Sequence, residues 1–269
     1  MAEDGKPLAG KVAIVAGATR GIGHDIALYL ARAGASTVIA ARSDEVTDPR
    51  WPVTIHDVVK EIEDEGGTGL AFRLDMRDRE SCQACIEDTV AQFGRLDILV
   101  NNAAVQARGM IETMAERHID LMLEVNVRGP ILLIRHAIPH MRAVGGGHVI
   151  NISSRGAVNY PPGPYPVEDR RPTSYLYGPT KAALDRLNQQ LALEHQKDNI
   201  SFNCLSPDHQ VTTPGVALLR NIDDPEAPLL DVEVAHDLGK SAVWICSQPP
   251  GSYTGNILYD TEVVAEHGL

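Results

Sequence analysis

Tyr177 and Lys181 stand four positions apart in "YGPTK", a spacing that puts the phenol and the ammonium on one face of a helix. A free phenol titrates near pH ~10, too high for acid–base work at neutrality. An ammonium alongside stabilises the phenolate and lowers that value. A phenol tuned in this way gives a proton to a carbonyl oxygen or takes one from an alcohol. Three other tyrosines lie just upstream, in "NYPPGPYPVEDRRPTSY". The residue four positions after Tyr175 is Pro179, and Tyr160 and Tyr165 have no fixed partner. Pro179 itself is compatible with a helix, because first-turn N–H groups are unpaired anyway, so the helix is expected to begin near Tyr175 or Leu176.

A second constellation lies near the start. Strand-like "KVAIVAG" runs into "GATRGIG" and then into helix-like "GIGHDIALYLARAG", giving G-x-x-x-G-x-G at Gly17, Gly21 and Gly23. Glycine lets a backbone turn sharply and approach a pyrophosphate, while the helix start offers unpaired N–H groups and the positive end of its dipole. Gly17, Thr19, Arg20, Gly21, Ile22 and Gly23 are therefore candidate residues of a dinucleotide phosphate turn. The end of the second strand reads "VIAARSDE". A carboxylate there bonds the adenosine ribose of NAD, whereas an arginine accommodates the extra phosphate of NADP. Arg42 occupies that place and Arg20 is within reach of the same phosphate, which favours NADP(H). The alternative, NAD(H), has Arg42 solvated and Asp44, two residues on, contacting the ribose.

The elements that carry these residues follow from hydrophobic pattern. Apolar runs "KVAIVAG", "STVIAAR", "GLAFRLD", "LDILVNNA", "GHVINIS", "ISFNCLSP" and a last short one near "GNILY" alternate with amphipathic segments at 21–34, 54–67, 78–93, 112–143, 175–197 and 233–247. Repeated βα units predict an α/β fold with a parallel sheet covered on both faces, and the strands accordingly lack strict polar–apolar alternation. With 269 residues and no linker, repeat or low-complexity tract, one domain spanning 1–269 is expected, with long loops near 43–53 and 155–174.

Composition excludes several function classes. A net charge of −12 leaves no basic nucleic-acid footprint and disfavours an anionic membrane surface. No run of about 18 apolar residues exists to span a bilayer. The start "MAEDGKPLAGK" does not read as a signal peptide, and "VVAEHGL" is no lipidation or peroxisomal address. Four cysteines in this length make no disulfide framework, and a cytoplasmic protein is expected. Cys82 and Cys85 spell C-x-x-C, but inside the amphipathic segment 78–93 and without a second pair. They read as a packed helix face, and no metal site is expected.

With these pieces assembled, the chain resembles the classical short-chain dehydrogenase/reductase family over nearly its whole length. The matching motifs, in family order, are "GATRGIG", "LDMRD", "DILVNNAA", "VNVRG", "VINISS", "YGPTK" and "LSPDHQVTT". The loop after the second strand, "DLMLEVNVRG" and the ending "YTGNILYDTEVVAEHGL" look more like its hydroxysteroid-dehydrogenase-like branch. The resemblance implies a seven-stranded, doubly wound Rossmann fold and a catalytic tetrad of Asn126, Ser154, Tyr177 and Lys181. It implies that Asp75 bonds the adenine amino group and that Asn102 lines the adenosine side. Thr212 or Thr213 would reach the nicotinamide carboxamide, and Lys181 would also bond the nicotinamide ribose. Ser154 would orient the substrate oxygen, with Ser153 as its competitor on the alternate strand face. Asn126 would bind a water relaying protons to Lys181, or else mark a local bend in which its side chain bonds its own backbone.

The implied activity is NADP(H)-dependent interconversion of a small carbonyl and a secondary alcohol, in a homodimer or homotetramer built through the helices carrying Asn126 and Tyr177. The alternatives are a cofactor-binding sensor or interaction subunit without turnover, and a C=C reductase. Three departures from the family pattern stand out: Ala104 for a glycine, Asp208 for a glycine after Pro207, and an unusually long stretch between Ser154 and Tyr177. That stretch is either a proline-stiffened surface loop or a wall over the substrate, in which Arg155, Arg170 or Arg171 would meet an anionic substrate unless Glu168 and Asp169 neutralise the last two.

Overall fold

Five strands of this chain are buried along their whole length and so need apolar residues on both faces. These are β1 (Val12–Ala16), β2 (Ser36–Ala41, its first residue half-buried), β4 (Ile98–Asn101), β5 (Gly147–Ile152) and β6 (Ile200–Ser206). The edge strands β3 (Thr68–Arg73) and β7 (Ile257–Tyr259) are partly exposed. All seven pair in parallel, in the order β3-β2-β1-β4-β5-β6-β7. This computed structural model describes residues 5–46, 49–164, 176–209, 211–214, 216–217 and 233–269. The expectations placed on Tyr165, Glu168, Asp169, Arg170, Arg171 and Tyr175 lie outside the described residues.

Successive side chains of a strand point to opposite faces, and the core divides accordingly. Ala13 and Val15 join a cluster with Ile26, Leu30 and Leu238, whereas Ile14 and Ala16 join one with Ile86, Leu133 and Phe202. The first layer comes from α1 (Gly21–Arg32), α2 (Ile55–Asp64) and α7 (His236–Ser247). The second comes from α3 (Arg79–Phe93), α4 (Glu116–Leu123), α5 (Gly129–Ala143) and α6 (Tyr177–Glu194), and α8 (Asp260–His267) closes the chain. Cys82 and Cys85 are buried in α3 as free thiols, and burial pushes Cys82 up to about 11, so both serve packing as expected. Because β2 and β3 lie on one side of β1 and β4 to β7 on the other, the strand order reverses between β1 and β4. A crevice opens there at the carboxyl ends of the strands, where open α/β sheets bind ligands.

Several boundaries differ from the sequence expectation. The helix expected over 112–143 is two helices joined by a π-helical turn, Glu124–Arg128, and its first turns are absent because 110–113 form a turn instead. Pro130 supplies the reason for the break: without an N–H it cannot bond the Asn126 carbonyl, and a wider turn absorbs the loss. The helix expected over 175–197 begins at Tyr177 and ends at Glu194, and that over 233–247 begins at His236.

The other end of the sheet is closed by charge. Asp97 accepts from the Val12 backbone at 3.0 Å, from Lys11 at 3.2 Å and from Arg95 at 2.7 and 2.6 Å. His148, beside it on β5, is buried with Nδ1 unpartnered among the described residues. Burial, then the Lys11 charge, push it down from 6.5 to about 4. Between those values the unfolded chain binds a proton that the folded chain does not, so stability falls as pH drops through this window. His148→Gln should remove roughly 2 kcal/mol of the loss between pH 7 and pH 5. Urea midpoints at the two pH values check this; equal losses in wild type and variant would assign the acid sensitivity elsewhere.

Candidate active site

The glycine turn is set by close backbone packing. Gly17 has φ +80°, and a Cβ there would stand 2.7 Å from the Ala103 Cα; a Cβ on Gly21 would meet the Thr213 side chain at 2.8 Å. Gly23 packs against the Gly17 carbonyl and the Asn102 side chain, with no room for a Cβ. Asn102 Nδ2 in turn donates to the Gly17 carbonyl at 2.8 Å. Asn102 therefore shapes the turn from beneath. Arg20 takes the N-cap position of α1 in extended conformation, with no side-chain cap bond and no acid in the first turn. Uncapped first-turn N–H groups next to a backbone with no room for side chains fit a dinucleotide pyrophosphate. Thr19 and Ile22 complete the turn, and Thr19 is buried.

The adenosine side shows which charges are committed. Arg42 is exposed just past the end of β2, whereas its rival Asp44 pairs with His56 at 2.9 Å. Asp75 follows β3, and the Arg77 guanidinium grips its carboxylate at 2.6 to 3.2 Å and holds it down to about 2. Its implied partner, the adenine amino group, would share that carboxylate with Arg77. Thr212 donates its backbone N–H to Glu233 at 3.2 Å, while Thr213 rests on Gly21.

The tyrosine–lysine pair is at the start of α6. Thr180 Oγ donates to the Tyr177 carbonyl at 2.6 Å, closing the first turn. Lys181 is only 2% exposed; its Nζ donates to the Ile152 carbonyl at the end of β5 at 2.7 Å and lies 5.7 Å from the centre of the Tyr177 ring. The expected lowering of the phenol does not occur in this geometry. Burial pushes Tyr177 up to about 12 and Lys181 down to about 8. The physical reason is that desolvation disfavours both charged forms, and the ammonium is aimed at Ile152 rather than at the phenol oxygen.

Asn126 lies in the π-helical turn, and its side chain makes three hydrogen bonds. Its Oδ1 accepts from the Val105 N–H at 2.8 Å, and its Nδ2 donates to the Val105 carbonyl at 2.9 Å and to Thr180 Oγ at 3.1 Å. It bonds the peptide of another loop, not its own backbone, and reaches the residue preceding Lys181. Ser154 caps the 3-10 turn Arg155–Ala157, accepting from the Gly156 N–H at 3.1 Å, and lines a cleft of 330 Å³ with Ser206 and Tyr259. Ser153 points the other way and is buried. Gly178 packs directly on the Gly156 carbonyl, so the start of α6 sits against the turn that Ser154 caps.

Three site features escaped the sequence reading. Thr180, in the first turn of a helix, was a polar residue with a capping chemistry that could have signalled its link to Asn126. Asp208, noted only as a departure, receives the Arg155 guanidinium, with Nε at 3.0 Å, and Arg155 also lies 4.9 Å over the Tyr259 ring. Arg155 is thus paired within the protein. Trp51, in the loop near 43–53, donates to the Thr19 carbonyl at 3.2 Å; no local pattern points to it.

Comparison with known proteins gives the family. Residues 11–220 match the family described as short chain dehydrogenase. Hydroxysteroid dehydrogenase-like protein 2 of Homo sapiens is 32% identical over 263 residues, 97% of this chain and 59% of that protein. The Xenopus tropicalis protein of the same name is 33% identical over 267 residues, again 97% of this chain and 59% of that one. The chain therefore spans 59% of the length of these curated relatives. A structure provisionally assigned as a dehydrogenase from Xanthomonas campestris is 30% identical with a TM-score of 0.80, covering 97% of this chain and 91% of that one. One provisionally assigned as an NAD(P)-dependent gluconate 5-dehydrogenase from Beutenbergia cavernae, with NADP bound at low occupancy, is 29% identical with a TM-score of 0.78, covering 95% and 97%. With its parallel sheet, glycine turn and tyrosine–lysine helix, the chain belongs to the short-chain dehydrogenase/reductase family of oxidoreductases, and the curated relatives it resembles are hydroxysteroid dehydrogenase-like proteins.

Proposed function

We propose that this protein is an NADP(H)-dependent oxidoreductase that interconverts a carbonyl and a secondary alcohol, with Tyr177 as the acid or base. The observation that carries the reading is the placement of Tyr177 and Lys181 at the carboxyl edge of the sheet, with Lys181 bonded to the last residue of β5 and Ser154 two residues beyond it. Gly17, Gly21 and Gly23, with the α1 N-terminus, would hold the pyrophosphate, and Arg20 and Arg42 the adenosine phosphate. When bound, the nicotinamide cofactor supplies or accepts the hydride.

The chain's own residues handle the proton. At neutral pH the Tyr177 phenol is protonated, the form that donates to a carbonyl oxygen during reduction. Ser154 would orient that oxygen. Lys181, pushed down to about 8, is mostly an ammonium at neutrality and places a positive charge 5.7 Å from the centre of the Tyr177 ring. Asn126 and Thr180 hold the first turn of α6, which fixes the phenol, and a water relay through Asn126 to Lys181 is part of the proposal. NADP is supported by exposed Arg42, by the commitment of Asp44 to His56, and by the NADP seen in one structural neighbour. Assembly into a homo-oligomer through α4, α5 and α6 is supported by Leu123, Ile131 and Leu193, exposed on those helices at 44%, 41% and 71%.

Three outcomes test this reading. Tyr177→Phe should lower kcat by about a thousandfold while leaving the calorimetric NADPH affinity within about threefold; retention of turnover would remove Tyr177 from the mechanism. Arg42→Asp should weaken NADPH by about ten- to a hundredfold and NADH far less, since a guanidinium–phosphate contact becomes a repulsion; an unchanged preference would dismiss Arg42 as the selector. For Lys181 the folded value is depressed from 10.5 to about 8, so the folded state gains stability as pH rises through that window and is penalised below it. Lys181→Met should therefore raise unfolding free energy at pH 7 by about 1–3 kcal/mol while turnover is lost. Thermal melts at pH 7 check the first part, and a fall in stability would show that the Ile152 bond outweighs desolvation.

A further inference from the structure

Trp51 is one of two tryptophans in the chain. Its indole N–H donates to the carbonyl of Thr19, inside the glycine turn, across 32 positions of sequence. Thr19 is 6% exposed, so this carbonyl has little access to water, and the indole satisfies it. The loop carrying Trp51 is pinned at its base. Ile55 N–H donates to the Ser43 carbonyl at 2.9 Å, Asp44 pairs with His56 at 2.9 Å, and the Thr54–Asp57 capping box starts α2. Val53 packs on the core beneath it. The loop begins directly after Arg42, and the Asp44 N–H donates back to the Arg42 carbonyl at 2.9 Å. Trp51 thus closes a ring of contacts running from the end of β2, through the loop base, to the phosphate turn. The adenosine ribose of a dinucleotide lies between the end of the second strand and the glycine turn in sheets of this order.

We propose that Trp51 is a cofactor-positioning residue that ties this loop to the glycine turn and so walls the adenosine-ribose end of the NADP(H) site. The inference rests on the proposed NADP(H) reading. Its physical content is preorganisation. A loop already fixed against the turn holds Arg42 in place before the ligand arrives, so less ordering entropy opposes binding. The effect therefore falls on the ligand carrying the extra phosphate more than on the one without it. Removing the N–H alone costs one neutral hydrogen bond, and removing the whole indole also removes the wall.

The test uses the full chain and both cofactors, NADPH and NADH, with dissociation constants from calorimetry and fold integrity from circular dichroism. Trp51→Phe keeps the ring and should weaken NADPH about fivefold, the equivalent of one hydrogen bond. Trp51→Ala should weaken NADPH by about ten- to thirtyfold and NADH by less than about threefold. In Trp244→Phe, where Trp51 is the remaining tryptophan, saturating NADPH should shield the indole from acrylamide quenching. Wild-type NADPH affinity in Trp51→Ala, equal losses on both cofactors, or unchanged quenching would each overturn the positioning role while leaving NADP(H) binding intact. Failure of the wild type to bind either cofactor would overturn the underlying reading as well.

Discussion

The bond from Lys181 Nζ to the Ile152 carbonyl is the contact on which the active-site arrangement depends. It spans from a helix to the end of strand β5 and is almost entirely shielded from solvent. A buried amino group with one strong acceptor has little freedom to move, because leaving that acceptor strands its N–H groups in a medium that cannot solvate them. The tyrosine four residues earlier is fixed by the same helix. Desolvation is the cost of this geometry, and it is visible in the opposed shifts of the two groups: the lysine is pushed down and the phenol up. Both end closer to their neutral forms, which is the state from which a phenol can donate.

A line of buried amides holds α6 to the sheet in parallel with that bond. Asn101 on β4 donates to Asn151 on β5 at 2.9 Å, and Asn151 reaches Asn188 on α6 at 3.4 Å. Asn188 then donates to the Phe202 carbonyl on β6 at 3.2 Å and to that of Asn256 at 3.3 Å. Strand register puts Asn101 opposite Asn151, so the sheet itself aligns the first pair. Buried polar networks are sensitive to small displacements, and this one leaves Asn101 Oδ1 without a partner among the described residues. Asn126 repeats the device at the other end of the helix, bonding Val105 and Thr180 from a π-helical turn forced by Pro130.

The sheet, its parallel sense and the tyrosine–lysine face were legible because each is written in local pattern: apolar runs, glycine spacing, an i, i+4 pair. Helix ends were less so. The break before Gly129 depends on what one missing N–H does to the turn around Asn126, and the pattern of apolar residues runs through it unchanged. The i, i+4 spacing brings an ammonium near the Tyr177 phenol but carries no signal of where that ammonium is aimed. Only the three-dimensional course of β5 shows that a carbonyl claims it. Asp75, Trp51 and Asp208 share a cause of another kind: their partners, Arg77, Thr19 and Arg155, are chosen by loop geometry, for which sequence spacing carries no signal.

Asp208 shows how a departure from family pattern is absorbed. Glycine after Pro207 would offer conformational freedom; aspartate replaces it with connections. Its N–H donates to Asp260 at 2.8 Å and its carboxylate takes Arg155, which also stacks on Tyr259. Three segments, the turn after Ser154, the loop after β6 and the end of β7, are thereby joined. The same loop after β6 rests Thr213 on Gly21 in the glycine turn. A single connection thus touches both halves of the crevice, and the Arg155–Asp208 pair, although exposed, sets where it can lie.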